Sequence, residues 1–289
     1  MIDQLIILGL TTGLSYALIT MGFSFIFGVS KILNLAHTAF SMMGAYLLYT
    51  FFRIWNFGIL LSVFFSLVLA TLLCLFPYLL CLKNKIRENI LSQLILTIGV
   101  AMFVQGVIHF IYGTFSLGMP SFIPGFIEIL GVRILNQHLI IIVSAIILYS
   151  ILAIFLKKTK LGIAVRATAQ DAEVAALCGM NIKKIYFVSG AIGIFLAVFA
   201  GVFSAPLQSL TPWMWAPALP IVMAAAVLGG LGSIKGSILA SLIFGFVFTG
   251  VSLVYPELGH LKEAIAFVAV VLIFLIRPGG LFGVQIHER

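Results

Sequence analysis

Residues 137–156 read QHLIIIVSAIILYSILAIFL, and residues 157–184 read KKTKLGIAVRATAQDAEVAALCGMNIKK. The first run is long and apolar enough to cross hydrocarbon, since about 20 residues at ~1.5 Å each reach across a ~30 Å bilayer core. The second is the only large polar segment of the chain, with lysine pairs at both ends. Over all 289 residues, 63% are hydrophobic and 8% charged, whereas soluble domains sit near half apolar and a quarter charged. Lipid is therefore the main solvent, and the fold class is an all-α polytopic transmembrane bundle.

Working outward, further apolar runs predict spans near 5–28, 35–55, 58–82, 91–112, 186–205, 237–255 and 259–276. Residues 218–231 are too short for a full crossing and predict a half-helix or re-entrant segment, giving about eight to nine spans. The first run follows Asp3 and has no basic flank, so it reads as a transmembrane helix and not a cleaved leader. One domain, 1–289, with a cytoplasmic loop over 157–185, is the expected organisation.

Lysine and arginine set the orientation. Lys31, Lys83, Lys85, Arg87, Lys157, Lys158, Lys160, Arg166, Lys183, Lys184, Lys235, Arg277 and Arg289 fall on one side of the membrane, against Arg53, Arg133 and Lys262 on the other. The positive-inside rule places the first group in the cytoplasm, with the N-terminus outside and the C-terminus inside, and an inner membrane is the expected location. The net charge of +8 is thus an orientation signal, and nothing in the chain forms a nucleic-acid surface. The outer segments 113–136 and 206–217 are shaped by prolines and glycines, the second carrying Trp213 and Trp215 as interfacial aromatics or a contact. Cys74, Cys81 and Cys178 have no metal spacing and read as small packing residues or reduced thiols.

Within the polar segment, Ala167 to Leu177 is alanine-rich, with Gln170, Asp171 and Glu173 near its start and Gly179 after it. That pattern predicts one short helix with acidic residues in its first turns and a glycine stop. Its small side chains would leave a flat face for a partner.

These residues also carry a resemblance. Leu161 to Gly179 resembles the cytoplasmic coupling loop of ABC importer permeases, and EVAALCG (Glu173 to Gly179) is similar to the EAA-loop pattern. GLTTGLSYALITMGFSFIFGVSKILNLAHTAFSMMGAY (Gly9 to Tyr46), AAVLGGLGSIKGSILASLIFG (Ala225 to Gly245) and RPGGLFG (Arg277 to Gly283) resemble, in order, blocks of the branched-chain amino acid ABC transporter permease family. The short N-terminus and the NLAH core resemble its H-type subunit. Two positions depart from the pattern: Thr38 stands where the family usually has glycine, and Leu35 where it has phenylalanine.

The resemblance implies a permease subunit moving leucine, isoleucine, valine or related small amino acids and amides. It implies a second permease subunit (an M-type homologue or a second copy), two cytoplasmic ATP-binding subunits that hold ATP and magnesium, and a periplasmic binding protein. No G-x-x-x-x-G-K-[ST] phosphate loop occurs, so ATP hydrolysis is expected elsewhere. Arg166, Ala167, Asp171, Glu173, Ala175, Ala176 and Gly179 are the expected coupling residues.

Asn34 and His37, three apart, would share a helix face at the junction of the first two spans, lining a pathway or capping a helix. They join Tyr16 and Tyr46 as candidate pathway residues. Gly229, Gly230, Gly232 and Gly236 predict either a flexible break before the next span or close helix packing. Gly190, Gly193, Ala197 and Gly201 mark a packing face. Gln105 and His109 also share a face. Alternatives are a permease for urea or short-chain amides, a stand-alone secondary transporter or channel, and a membrane enzyme. No Asp or Glu lies deep in a span, which argues against ion coupling. No convergent catalytic set is visible for the enzyme.

Overall fold

Apolar runs of this length, with every backbone group satisfied internally, can only be helices in lipid. The computed structural model describes residues 2–83, 89–129, 131–254, 264 and 268. The expected span at 259–276 (apart from 264 and 268), the RPGGLFG block, Lys85, Arg87, Lys262, Arg277 and Arg289 lie outside the described residues. The helices are α1 (Ile2–Ser30), α2 (His37–Tyr49), α3 (Ile59–Cys81), α4 (Ile90–Tyr112), α5 (Asn136–Lys158), α6 (Lys160–Gln170), α7 (Ala172–Leu177), α8 (Ile182–Ser204), α9 (Trp215–Gly229) and α10 (Ile234–Val254). Six of them, α1, α3, α4, α5, α8 and α10, are long and apolar enough to cross a membrane.

The bundle has two ends. One carries the polar segment 157–184 and is called the basic end. The other carries an antiparallel hairpin of β1 (Phe126–Ile129) and β2 (Val132–Leu135). The hairpin is an addition to the all-helical expectation. Its alternating residues turn Val132 and Ile134 onto Ile7 of α1 and Leu139 of α5, and Arg133 lies over the Phe126 ring on the opposite face. Gln137 ties this end together: it accepts from the Phe122 N–H at 3.1 Å and donates to the Phe203 carbonyl at 2.7 Å.

Helices α1 and α8 sit mostly inside, while α3, α4 and α5 turn broad apolar faces outward. Helix α8 meets α2 and α1 through the expected small-residue face. A Cβ on Gly201 would collide with the Ser41 carbonyl, one on Gly193 with α1 at Ile26 and Gly22, and one on Gly190 with the Tyr78 ring. The Tyr78 hydroxyl donates to the Tyr186 carbonyl, pinning α3 to α8 at the basic end. Helices α1 and α10 run antiparallel along a second close seam, where Gly13 meets Gly245 and the Ser237 hydroxyl donates to Ser24 at 2.6 Å.

Three boundaries differ from the sequence expectation. The second span, expected over 35–55, is α-helical only over His37–Tyr49 and closes in a π-helical turn, Thr50–Ile54. Before it, residues 31–36 fold back in extended and turn conformation, and Lys31 takes φ +56°. His37 reaches the Ile19 carbonyl, eleven residues and so ~16 Å back along α1 from Ser30, so α2 begins within the bundle and not at its edge. Second, the segment expected as a half-helix or re-entrant segment, 218–231, is the short apolar helix α9, which begins three residues earlier and ends at Gly229. Helix α9 starts where Trp215 bonds Gln105 towards the hairpin end of α4, and its last residue packs on Gly236, while Gly232 touches Gly28 near the basic end of α1. The fifteen residues of α9 rise about 22 Å, short of the ~30 Å hydrocarbon core. Third, the helix expected over Ala167 to Leu177 is broken at Asp171, as the next subsection describes.

Candidate functional site

The polar segment leaves the bundle through a tight corner. Thr159 ends α5 and caps α6, its Oγ1 accepting from the Gly162 N–H at 2.9 Å. Gly162 has no room for a Cβ beside the Phe155 carbonyl. Helix α6 lies against the body through Val165, which packs with Phe25 and Val29 of α1 and Ile185 and Tyr186 of α8. Arg166 is exposed and Ala167 half-buried on this helix, so both belong to the arm before the break.

Asp171 adopts φ −152° and ψ 112°, which no helix accommodates, and its Oδ1 accepts from the Glu173 and Val174 N–H groups at 2.9 and 3.0 Å. It is the N-cap of a new helix, which is why the single expected helix becomes two. Glu173 sits in the first turn, where the helix dipole favours a carboxylate. Gly179 takes φ +80°. Its N–H donates to the Ala176 carbonyl at 2.9 Å, and the Met180 N–H donates to Ala175 at 3.2 Å. This Schellman closure needs a residue at ease in the left-handed region.

Of the six residues of α7, Ala175 is buried and Ala176 is exposed. Two apolar side chains that the sequence reading did not single out dominate the surface: Leu177 is 88% exposed and Val174 54%. Their spacing of three on one helix was the available signal. Two rigid caps thus hold an apolar knob away from the body.

The candidate pathway residues are deeper. Asn34 and His37 do not share a helix face, because Asn34 precedes α2. The Asn34 Oδ1 accepts from the Ala36 N–H at 3.1 Å, and the His37 N–H donates to the Asn34 carbonyl at 3.3 Å. The His37 Nε2 lies 3.0 Å from the Ile19 carbonyl. A carbonyl only accepts, so Nε2 carries the proton. The Asn34 Nδ2, His37 Nδ1, Thr38 Oγ1 and Tyr46 hydroxyl are all buried without a hydrogen-bond partner.

Tyr46 stands further along α2 with its ring 4.9 Å from that of Tyr112, in the cluster of α2, α3, α4 and α8. Tyr16 packs instead with Phe248 against α9 and α10. Tyr16 and Tyr46 therefore pack in different clusters. Gly230 and Gly232, at φ +92° and +89°, form the turn between α9 and α10, and Gly229 and Gly236 pack backbone to backbone across it. Among the described residues, no group of three His, Cys, Asp or Glu is placed to hold a metal, and no charged side chain is buried.

Residues 5–276 match the sequence profile of a family described as the permease component of branched-chain amino acid transport systems. The chain is 27% identical to the high-affinity branched-chain amino acid transport system permease protein LivH of Escherichia coli, over 95% of this chain and 93% of that one. It is 28% identical to the corresponding protein BraD of Pseudomonas aeruginosa, over 97% and 95%. It is 24% identical to a probable LivH of Methanocaldococcus jannaschii, over 93% and 88%. Among solved structures, PsaBC from Streptococcus pneumoniae in complex with a Fab shares the fold, with a TM-score of 0.52 at 15% identity, over 94% of this chain and 91% of that one. A profile match across nearly the whole of a multi-pass helical chain places this protein in the family of branched-chain amino acid transport permease components.

Proposed function

We propose that this chain is the membrane-spanning permease subunit of an ATP-driven importer of leucine, isoleucine, valine or closely related small amino acids and amides. The basic end faces the cytoplasm of a bacterial inner membrane, and the hairpin end receives substrate from a periplasmic binding protein. A second permease subunit, homologous or identical, completes the passage. Two cytoplasmic ATP-binding subunits supply ATP and magnesium and dock on α6 and α7.

The observation that carries this reading is α7 itself: six residues, capped at both ends, presenting Leu177 and Val174 to solvent. An exposed apolar knob on a rigid mount is costly unless a partner covers it. The mount also leads inward. Helix α6 bears on α1 and α8 through Val165, and α8 is locked to α2 at Gly201 and Ser41. Closure of the ATP-binding subunits would push α7, and the push would reach the buried helices as a rigid-body shift. Arg166, Ala167, Asp171, Glu173, Ala175, Ala176 and Gly179 build this lever. Asn34, His37, Tyr16 and Tyr46 are proposed to bear on the passage, and Gly229, Gly230, Gly232 and Gly236 to form its turn.

The test has two arms. Cells with and without the chain are compared for uptake of labelled leucine, urea and a short amide. Loss of leucine uptake is expected, and loss of urea uptake alone would overturn the substrate. In the reconstituted complex, Gly179→Asp and Glu173→Lys should each abolish substrate-stimulated ATP hydrolysis while the protein stays in the membrane. Normal stimulation in both would overturn the coupling.

A further inference from the structure

Helices α5 and α8 diverge instead of packing along their length. Between them Leu148, Leu152 and Phe155 of α5, with Ala191, Ile192 and Phe195 of α8, line an open groove of about 390 Å³ whose lining is wholly apolar. Two faces build it. On α5, Leu148, Leu152 and Phe155 step by four and three, and the next step on that face is Lys158, the last residue of the helix. On α8, the steps back from Phe195 through Ala191 and Val188 end on Lys184 in the first turn. Each wall therefore runs from hydrocarbon depth into a lysine, and both lysines lie at the basic end.

Besides setting the orientation, the lysines have no counter-charge in the protein around them. Lys157, Lys158, Lys183 and Lys184 are all exposed, and among the described residues none is paired with a carboxylate. Lys183 and Lys184 stand at the positive end of the α8 dipole, where a cation is unfavourable and an anion is stabilised. An anion beside them would offset both effects. The groove is open along the wall and suits an extended hydrocarbon chain, which is far thinner than a ~10 Å helix.

We propose that the groove is a binding site for an anionic phospholipid, with one acyl chain laid between α5 and α8 and the phosphate held by Lys158 and Lys184. Basic residues capping an apolar inter-helix cleft are the chemistry such a lipid needs. The site lies on the outer wall of the bundle, next to the corner where α5 turns into α6. A bound lipid would brace the root of the lever.

Phe195→Trp places a reporter in the groove, read as the difference from the parent, whose Trp55, Trp213 and Trp215 lie at the hairpin end. The full chain, reconstituted with its partner subunits, is placed in phosphatidylcholine vesicles carrying either brominated phosphatidylglycerol or brominated phosphatidylcholine. Quenching should favour the brominated phosphatidylglycerol. Lys158→Gln and Lys184→Gln should each cut that preference about fivefold, and Lys160→Gln, on α6 and off both walls, should leave it unchanged. Equal quenching by the two brominated lipids, or a preference that survives Lys158→Gln and Lys184→Gln, overturns the proposal. Quenching by neither lipid also overturns it, because a protein partner would then cover the groove.

Discussion

Two short helices of this molecule are built on opposite principles. Helix α2 has no side-chain cap, leaves polar atoms of Asn34, His37, Thr38 and Tyr46 without partners at and beyond its start, and is buried nearly throughout. Helix α7 is capped at both ends, by Asp171 before it and by the Gly179 closure after it, and lies in the open. An isolated helix of six residues is far below the length that holds in water. Local hydrogen bonds must therefore hold α7, and tertiary packing must hold α2. The difference separates a part shaped to be touched by another molecule from a part shaped by its own neighbours.

Four substitutions test that contrast. The largest effect is expected at Gly201→Val, where any side chain meets the Ser41 carbonyl. Overpacking the α2–α8 seam should cost about 3 kcal/mol or more, read as a large fall in Tm in detergent and in the amount of protein in the membrane. Next is Leu177→Asp, which should leave Tm unchanged yet abolish stimulated ATP hydrolysis, because it spoils only the knob. A matching fall in Tm would show that Leu177 belongs to the fold instead. Asp171→Ala removes the cap of α7 and should cost about 1 kcal/mol of local stability, seen as faster amide exchange over 172–177 with the transmembrane helices unaffected. The smallest effect is expected at Tyr46→Phe. Deleting a buried hydroxyl that has no partner should leave stability unchanged or raise it by up to about 1 kcal/mol. A clear loss would mean that the hydroxyl is bonded in the assembled transporter.

The contrast also explains what could be read from the chain alone. The six long helices were legible because each is a self-sufficient apolar run. The glycine stop at Gly179 and the acidic start of α7 were legible because capping is local. The break at Asp171 was also local, but it lay inside an alanine-rich stretch that favours one continuous helix. The start of α2 was not legible, because it depends on Asn34 folding back and on the Ile19 carbonyl, partners fixed only by the packed bundle. The start of α9 at Trp215 was hidden for the same reason: it rests on the bond to Gln105 of α4, a partner fixed only by the packed bundle. The hairpin is built from four-residue strands, FIEI and VRIL, too short to stand out in a chain this apolar. The knob was half seen: the small residues of α7 were noticed, and Val174 and Leu177, which face outward, were not.

The seam between α1 and α10 bears on how the protein is made. Helix α1 is synthesised first and α10 last among the described helices, yet Gly13 and Gly245 touch, and Ser24 receives the hydroxyl of Ser237. Until α10 is made, Gly13 and the Ser24 hydroxyl of α1 lack these native partners. The bundle closes like a clasp, on a contact between its oldest and newest parts. A nascent chain stopped before Ile234 can hold inserted helices, but the mate of its first helix has not yet been made.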